Sequence, residues 1–76
     1  GASAERIVAI QMLTAIGDEP SRRALVSALD DRHNLVQRAA INALRKLLED
    51  KEPMEPTSIF DQINEVDRLK QVAGGR

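Results

Sequence analysis

The chain has 76 residues, a formal net charge of −1 and no cysteine, so it is long enough for one small domain and has neither disulfides nor thiolate chemistry. Apolar residues make up 42% of the chain but aromatic residues only 1%, and a core of Ala, Leu, Ile and Val favours closely packed helices. The near-neutral charge favours neither nucleic acid nor a membrane surface as a default partner, and no apolar run reaches the length of a membrane span.

The first helical pattern runs from Ala4 to Ile16 and is apolar around most of its circumference. Ser3 is expected at its N-cap, and Gly17 at the left-handed position that commonly ends a helix. Residues 1–3 look like the remnant of a tag and stand outside the predicted domain. A helix with so broad an apolar surface needs neighbours on two sides, and one of those sides has no partner within this chain.

The second helix is predicted from Pro20 to Leu29, with Asp18 or Glu19 as its cap and Pro20 in its first turn. Its apolar stripe is expected to consist of Ala24, Leu25, Ala28 and Leu29. Arg22, Arg23 and Ser27 should point mostly outward.

The third pattern, residues 34–48, is the most apolar stretch of the chain. Asn34 or Asp31 is expected to cap it. Its apolar arc spans roughly 200°, about twice what a helix on a single core needs. We therefore expect this helix at the centre of the fold, with neighbours on two sides.

The fourth helix follows a proline-containing link and is predicted from about Ser58 to Val72, with Thr57 or Ser58 at its start. The expected buried stripe is Ile59, Ile63, Val66, Leu69 and Ala73, and the expected solvent side carries Asp61, Glu65, Asp67, Arg68 and Gln71. Because this pattern is amphipathic in a one-sided way, the helix should lie at the end of the structure. Residues 74–76 are expected to form a flexible tail.

The chain contains an internal repeat. A shift of 31 residues aligns Ala9 with Ala40, Ile10 with Ile41 and Leu13 with Leu44. After each long helix comes an acidic turn or link with proline, and then a second helix. Such a period in helix–turn–helix units is typical of an α-solenoid. We predict an all-α, short α-solenoid of two helical hairpins, about four helices, with repeat one at about residues 4–31 and repeat two at about residues 34–73.

The repeat resembles the HEAT-repeat family, and most closely the HEAT-like repeats first noted in phycobilisome lyases. Residues 36–47, VQRAAINALRKL, match the first-helix pattern of those repeats, and residues 24–31, ALVSALDD, match the second-helix pattern. The first unit departs at residues 5–7, where Glu-Arg-Ile replaces Val-Arg-Arg. The second departs after Leu47, where Leu-Glu replaces Gly-Asp and a longer link follows.

The resemblance implies that the second helices line a concave side where partners bind. Candidate partner-binding residues are Arg22, Arg23, Ser27 and Asp31. It also implies a structural role for Arg38, paired with an acidic residue such as Asp30, Asp31 or Asp18.

The main functional hypothesis is a protein–protein interaction or scaffolding module, belonging to a larger protein, that binds another protein or neighbouring repeats. The outward side of the first helix, with Ile7, Val8 and Met12, is a candidate for self-association into a homo-oligomer. One alternative is a nucleic-acid-binding face on which Arg22, Arg23, Arg32, Arg38, Arg45 and Lys46 converge. Another is a regulatory domain fused to an enzyme.

The sequence offers no catalytic set. His33 is the only histidine and stands in a polar link, so it does not make a metal site. Ser21 and Ser58 are better explained as helix caps than as nucleophiles. We therefore expect no enzyme activity, no cofactor and no metal, and a cytoplasmic location.

Overall fold

A computed structural model describes residues 2–55 and 58–74. It contains four helices, which are α1 (Ala2–Ile16), α2 (Glu19–Ala28), α3 (Asn34–Glu49) and α4 (Ile59–Ala73). The described residues form no β-strand. The prediction of an all-α chain of four helices is therefore confirmed. Gly1, Pro56, Thr57, Gly75 and Arg76 lie outside the described residues, whereas Ala2 and Ser3 belong to α1.

The helices form two hairpins that stack into a short α-solenoid, as predicted. α3 touches each of the other three helices, α1 also packs on α2, and α2 touches α4. Ten buried apolar side chains make one core, namely Ile10, Leu25, Leu29, Val36, Ala40, Ile41, Ala43, Leu44, Val66 and Leu69. Half of them belong to α3, which confirms its central position.

α1 and α3 share a sequence pattern but differ in burial. Ala40 and Ile41 of α3 are both fully buried, whereas in α1 Ile10 is buried and Ala9 is exposed. The difference has a simple physical cause, because α3 lies between α1 on one side and α4 on the other. α1 packs against α2 and α3, and its apolar residues Val8, Met12 and Ile16 face solvent.

The predicted helix ends at Gly17 and Ser58 are confirmed. Gly17 has φ +65° at the end of α1, and a Cβ there would lie 3.3 Å from Leu47 Cδ2. Ser58 caps α4, where its hydroxyl accepts a hydrogen bond from the Asp61 N–H at 3.2 Å. Both ends depend on local chemistry that can be identified from the sequence.

Three predicted caps are wrong. Ser3 lies inside α1 and is not its cap. Asp18 caps α2 as predicted, whereas Ser21 is not a cap, because it lies in the first turn and donates its backbone N–H to the Asp18 carboxylate at 2.9 Å. His33 caps α3 in place of Asn34, since its Nδ1 accepts from the Leu35 N–H at 3.3 Å.

The buried side of α4 differs from the predicted stripe. Val66 and Leu69 are buried as expected, but Ile59, Ile63 and Ala73 are exposed, and Gln62 is buried. The Gln62 amide donates to Asn34 Oδ1 at 2.7 Å and to Gln37 Oε1 at 2.6 Å. Because its hydrogen bonds are satisfied by α3, this amide can be buried at little cost.

α4 is held on α3 by a network of ion pairs. Arg68 binds both carboxylate oxygens of Glu49 at 2.7 Å, and Arg68 and Arg45 each reach Glu65 at 2.7 Å. Glu65 and Arg68 were expected on the solvent side, and that expectation is wrong because charged partners on α3 lie opposite them. Arg68 above all, with Arg45, lowers the pKa of Glu65 to about 2.

The two flanks of α4 face opposite ends of α3. Glu65 and Arg68 meet the C-terminal half of α3, while Lys70 pairs with Asp30, just before α3 begins, at 2.6 Å. α4 therefore lies across α3 and brings its last residues over α2. This placement makes Ala73 of α4 part of a groove against α2 and α3.

Candidate protein-binding groove

Two arginines stand in adjacent positions on the first turns of α2. Arg22 donates its Nε–H to the Gly17 carbonyl at 3.0 Å. Arg23 lies 3.7 Å from Glu19, one turn earlier, and both side chains are about three-quarters exposed. A guanidinium carries five N–H donors, so both arginines retain donors for a further partner.

These arginines border a groove between α2, α3 and α4. We call it the arginine groove, a cavity of about 340 Å³ lined by Glu19, Arg22, Arg23, Val26, Leu48 and Ala73. Its floor is apolar, with Val26 and Leu48 half-buried. A cationic rim over an apolar floor suits an apolar side chain that has a carboxylate beside it.

The start of α2 holds the rim in place. The Asp18 carboxylate accepts hydrogen bonds from the side chain and the backbone N–H of Ser21, and these bonds hold its pKa below the usual range. Ser21 itself is buried. The turn that carries Arg22 and Arg23 is therefore fixed by hydrogen bonds at its base.

A second surface follows the outward side of α1. Val8, Met12 and Ile16 are 53%, 62% and 63% exposed and repeat once per turn, and we call them the α1 stripe. Ile7, which was expected to be exposed with them, is half-buried and packs against the core. Ile16 was not among the residues predicted to be exposed. Self-association at Val8 and Met12 stays a prediction.

The family of the chain follows from a comparison with protein-family models. The model described as HEAT repeats matches residues 2–70. The chain belongs to the HEAT-repeat family. A search of curated proteins and a search of solved structures each returned no significant match. HEAT repeats generally mediate protein–protein interactions or scaffolding, and the α2 surface is where this chain carries the residues expected to bind a partner.

Two of the four residues expected on the concave side of the HEAT repeat lie outside the arginine groove. Ser27 is exposed on α2. Asp31 pairs with Arg6 of α1 at 2.8 Å and accepts from the His33 N–H at 2.8 Å. The His33 bond and Arg6 hold the pKa of Asp31 below its usual range. Asp31 therefore ties the hairpin together, and it pairs with Arg6 rather than with Arg38.

The HEAT repeat also exposes an apolar surface that sequence reasoning missed. Ile59, Phe60 and Ile63 are 53%, 75% and 47% exposed at the start of α4, and we call them the α4 patch. The helical pattern assigned Ile59 and Ile63 to the core. Phe60 could have indicated this exposed surface, because it is an aromatic residue that lies outside every stripe predicted to be buried.

The arginines of this HEAT-repeat chain do not behave as one basic face. Arg45 pairs with Glu65 and donates to the Glu52 carbonyl at 2.9 Å, and Arg23 lies next to Glu19. These contacts neutralise part of the charge that phosphate binding would need. The observations therefore do not favour the nucleic-acid alternative.

A larger cleft of about 460 Å³ runs along the seam between α1 and α3. Two of its polar side chains are already used within the chain, since the Thr14 hydroxyl donates to the Ile10 carbonyl at 2.7 Å and Asn42 Oδ1 accepts from the Met54 N–H at 2.9 Å. Within the described residues, no group of three or more His, Cys, Asp or Glu residues is placed to hold a metal ion. In the same part of the chain, no helix is long and apolar enough to cross a membrane.

Proposed function

We propose that this HEAT-repeat chain is a protein-interaction module of a larger scaffold, and that Arg22 and Arg23 bind the partner at the arginine groove. The observation that carries the proposal is an apolar floor, formed by Val26, Leu48 and Ala73, beneath two guanidinium groups with unused donors. A closer relationship to the phycobilisome-lyase type of repeat is part of this proposal. It is supported by the match of residues 24–31 and 36–47 to that pattern.

The partner that fits such a groove is a protein segment with apolar and acidic side chains. The apolar side chain supplies binding energy by leaving water, while the arginines select carboxylates and orient the segment through paired hydrogen bonds. Glu19 at the rim lowers the net positive charge, which disfavours a partner recognised by charge alone.

The test is an affinity capture from cells with the wild-type chain and two charge reversals. Arg23→Glu changes the groove, and Arg32→Glu makes the same change in the exposed α2–α3 link. We expect a protein partner that the wild type and Arg32→Glu retain and that Arg23→Glu loses, followed by a direct binding measurement with that partner purified. A partner retained equally by all three chains would contradict the proposed site.

A further inference from the structure

The α4 patch carries a carboxylate on its own face. Phe60, Ile63 and Asp67 are separated by three and four residues, so they project from one side of α4. All three are exposed. Two large apolar side chains therefore stand beside one acidic side chain at the surface.

This arrangement complements the arginine groove, which has an apolar floor and a cationic rim. The two surfaces cannot meet within one chain, because Phe60 and the groove residue Ala73 are separated by 13 positions of one helix, or about 20 Å. We propose that the α4 patch of one copy occupies the arginine groove of a second copy, with Phe60 over the apolar floor and Asp67 beside Arg23. The inference rests on the groove of the proposed function and names its occupant.

The proposed contact joins two different surfaces. Each copy has one groove and one patch, so two copies either make this contact twice about a two-fold axis or leave one groove and one patch free. The first arrangement closes as a symmetric dimer, and the second propagates head to tail into rings or open chains. The average mass in solution should therefore rise steadily with concentration above the 8.4 kDa of one chain.

The test is sedimentation velocity on the full chain across a wide concentration range. Phe60→Ser and Arg23→Glu should each weaken association about 30-fold, since each removes a central contact of a small interface. Ile59→Ser, at the edge of the same patch, should have a smaller effect, and Arg32→Glu should have none. Circular dichroism melts of each variant verify that the fold is retained, which is expected because Phe60 and Arg23 are exposed.

Mixing the two deficient variants gives the decisive result. Phe60→Ser retains an intact groove and Arg23→Glu retains an intact patch, so an equimolar mixture should form a complex of two chains and nothing larger. A chain that carries both Arg23→Glu and Asp67→Arg should regain association between its own copies, because the opposite charges of the contact are swapped.

Three outcomes would overturn the inference. The first is a chain that stays monomeric at every concentration. The second is association that Phe60→Ser abolishes but Arg23→Glu leaves unchanged. The third is association that depends on Met12 of the α1 stripe, as tested with Met12→Ser. If the wild type is monomeric while Arg23→Glu still loses a cellular partner, the inference fails and the proposed function stands. If Arg23→Glu changes neither the association measured by sedimentation nor the capture of a cellular partner, both the inference and the proposed function fail.

Discussion

At the scale of single residues, Glu65 is a carboxylate held between two arginines. Its side chain is only 12% exposed and accepts from both Arg45 and Arg68 at 2.7 Å. Its pKa is lowered to about 2, from an ordinary value of 4.5. A carboxylate with a lowered pKa stabilises the folded state above its unfolded pKa, and the contribution is lost as the pH falls toward the folded value.

We predict that Glu65→Gln lowers the free energy of unfolding by on the order of 2 kcal/mol near neutral pH. The deficit should shrink as the pH falls from about 4.5 toward 2, because in that window the Glu65 carboxylate of the unfolded wild-type chain takes up a proton while that of the folded chain stays ionised. Urea denaturation of both proteins at several pH values measures the difference. Glu55→Gln, an exposed residue of the link before α4, is the control and should follow the wild type. If the free energy of unfolding of Glu65→Gln and of the wild type changed with pH in parallel, the stabilising role of the ionised Glu65 would be contradicted.

At the scale of elements, the position of α4 depends on contacts that join distant parts of the chain. Gln62 donates to Asn34 and Gln37, and Gln37 in turn donates to the Leu29 carbonyl at 2.8 Å. One buried amide therefore connects α4 to the start of α3 and, through Gln37, to the end of α2. The hydrogen bonds fix the orientation of α4, and with it the position of Ala73 in the arginine groove.

We predict that Gln62→Glu loosens α4 before any other helix. The substitution replaces a donor with a carboxylate that faces two oxygen acceptors, at a cost of about 2–3 kcal/mol. Hydrogen exchange should show faster exchange of the α4 amides, while the α3 amides near Ile41 change less. Asn64→Asp makes the same amide-to-acid change at an exposed position of α4 and should leave the exchange pattern unaltered. Equal effects of the two substitutions would show that charge alone is responsible.

The sequence was sufficient for the helices but not for the buried side of α4. The Gly17 N–H donates to the Leu13 carbonyl and the Ser58 hydroxyl accepts from the Asp61 N–H, so both helix ends could be predicted from local chemistry. Gln62 and Arg68 are polar in any hydrophobicity pattern, and their partners Asn34 and Glu49 lie 28 and 19 residues away. A hydrophobicity pattern depends only on the polarity of each side chain. It contains no information about the hydrogen-bond or ion-pair partner that the side chain contacts in the fold. Arg22 and Arg23 could be predicted as surface residues from the sequence. The apolar floor of the arginine groove could not be predicted, because it depends on where α4 packs.

At the scale of the whole molecule, stability rests on the central helix. Leu44 and Ile41 of α3 are fully buried and lie in the core shared by both hairpins. A domain of this size buries a modest share of its unfolded surface, so its margin of stability is small. The loss of one central side chain therefore affects both repeats at once.

We predict that Leu44→Asp unfolds the entire domain rather than one hairpin. A buried, unpaired carboxylate in place of a core leucine costs on the order of 5 kcal/mol. Circular dichroism should show loss of helix in all four elements. Lys46→Asp, an exposed position on the same helix, introduces the same residue and should remain folded. A folded Leu44→Asp protein would show that α3 is not the centre of the fold.

Phe60 is also the only aromatic side chain of the chain, and this has an optical consequence. Without Trp or Tyr the protein absorbs and emits very weakly in the near ultraviolet, so its own spectrum reports almost nothing about its core. A single tryptophan placed at Phe60, which is 75% exposed, would be the only emitter in the sample. Its emission would shift when that side chain leaves water, so assembly and unfolding could be followed separately by fluorescence and circular dichroism.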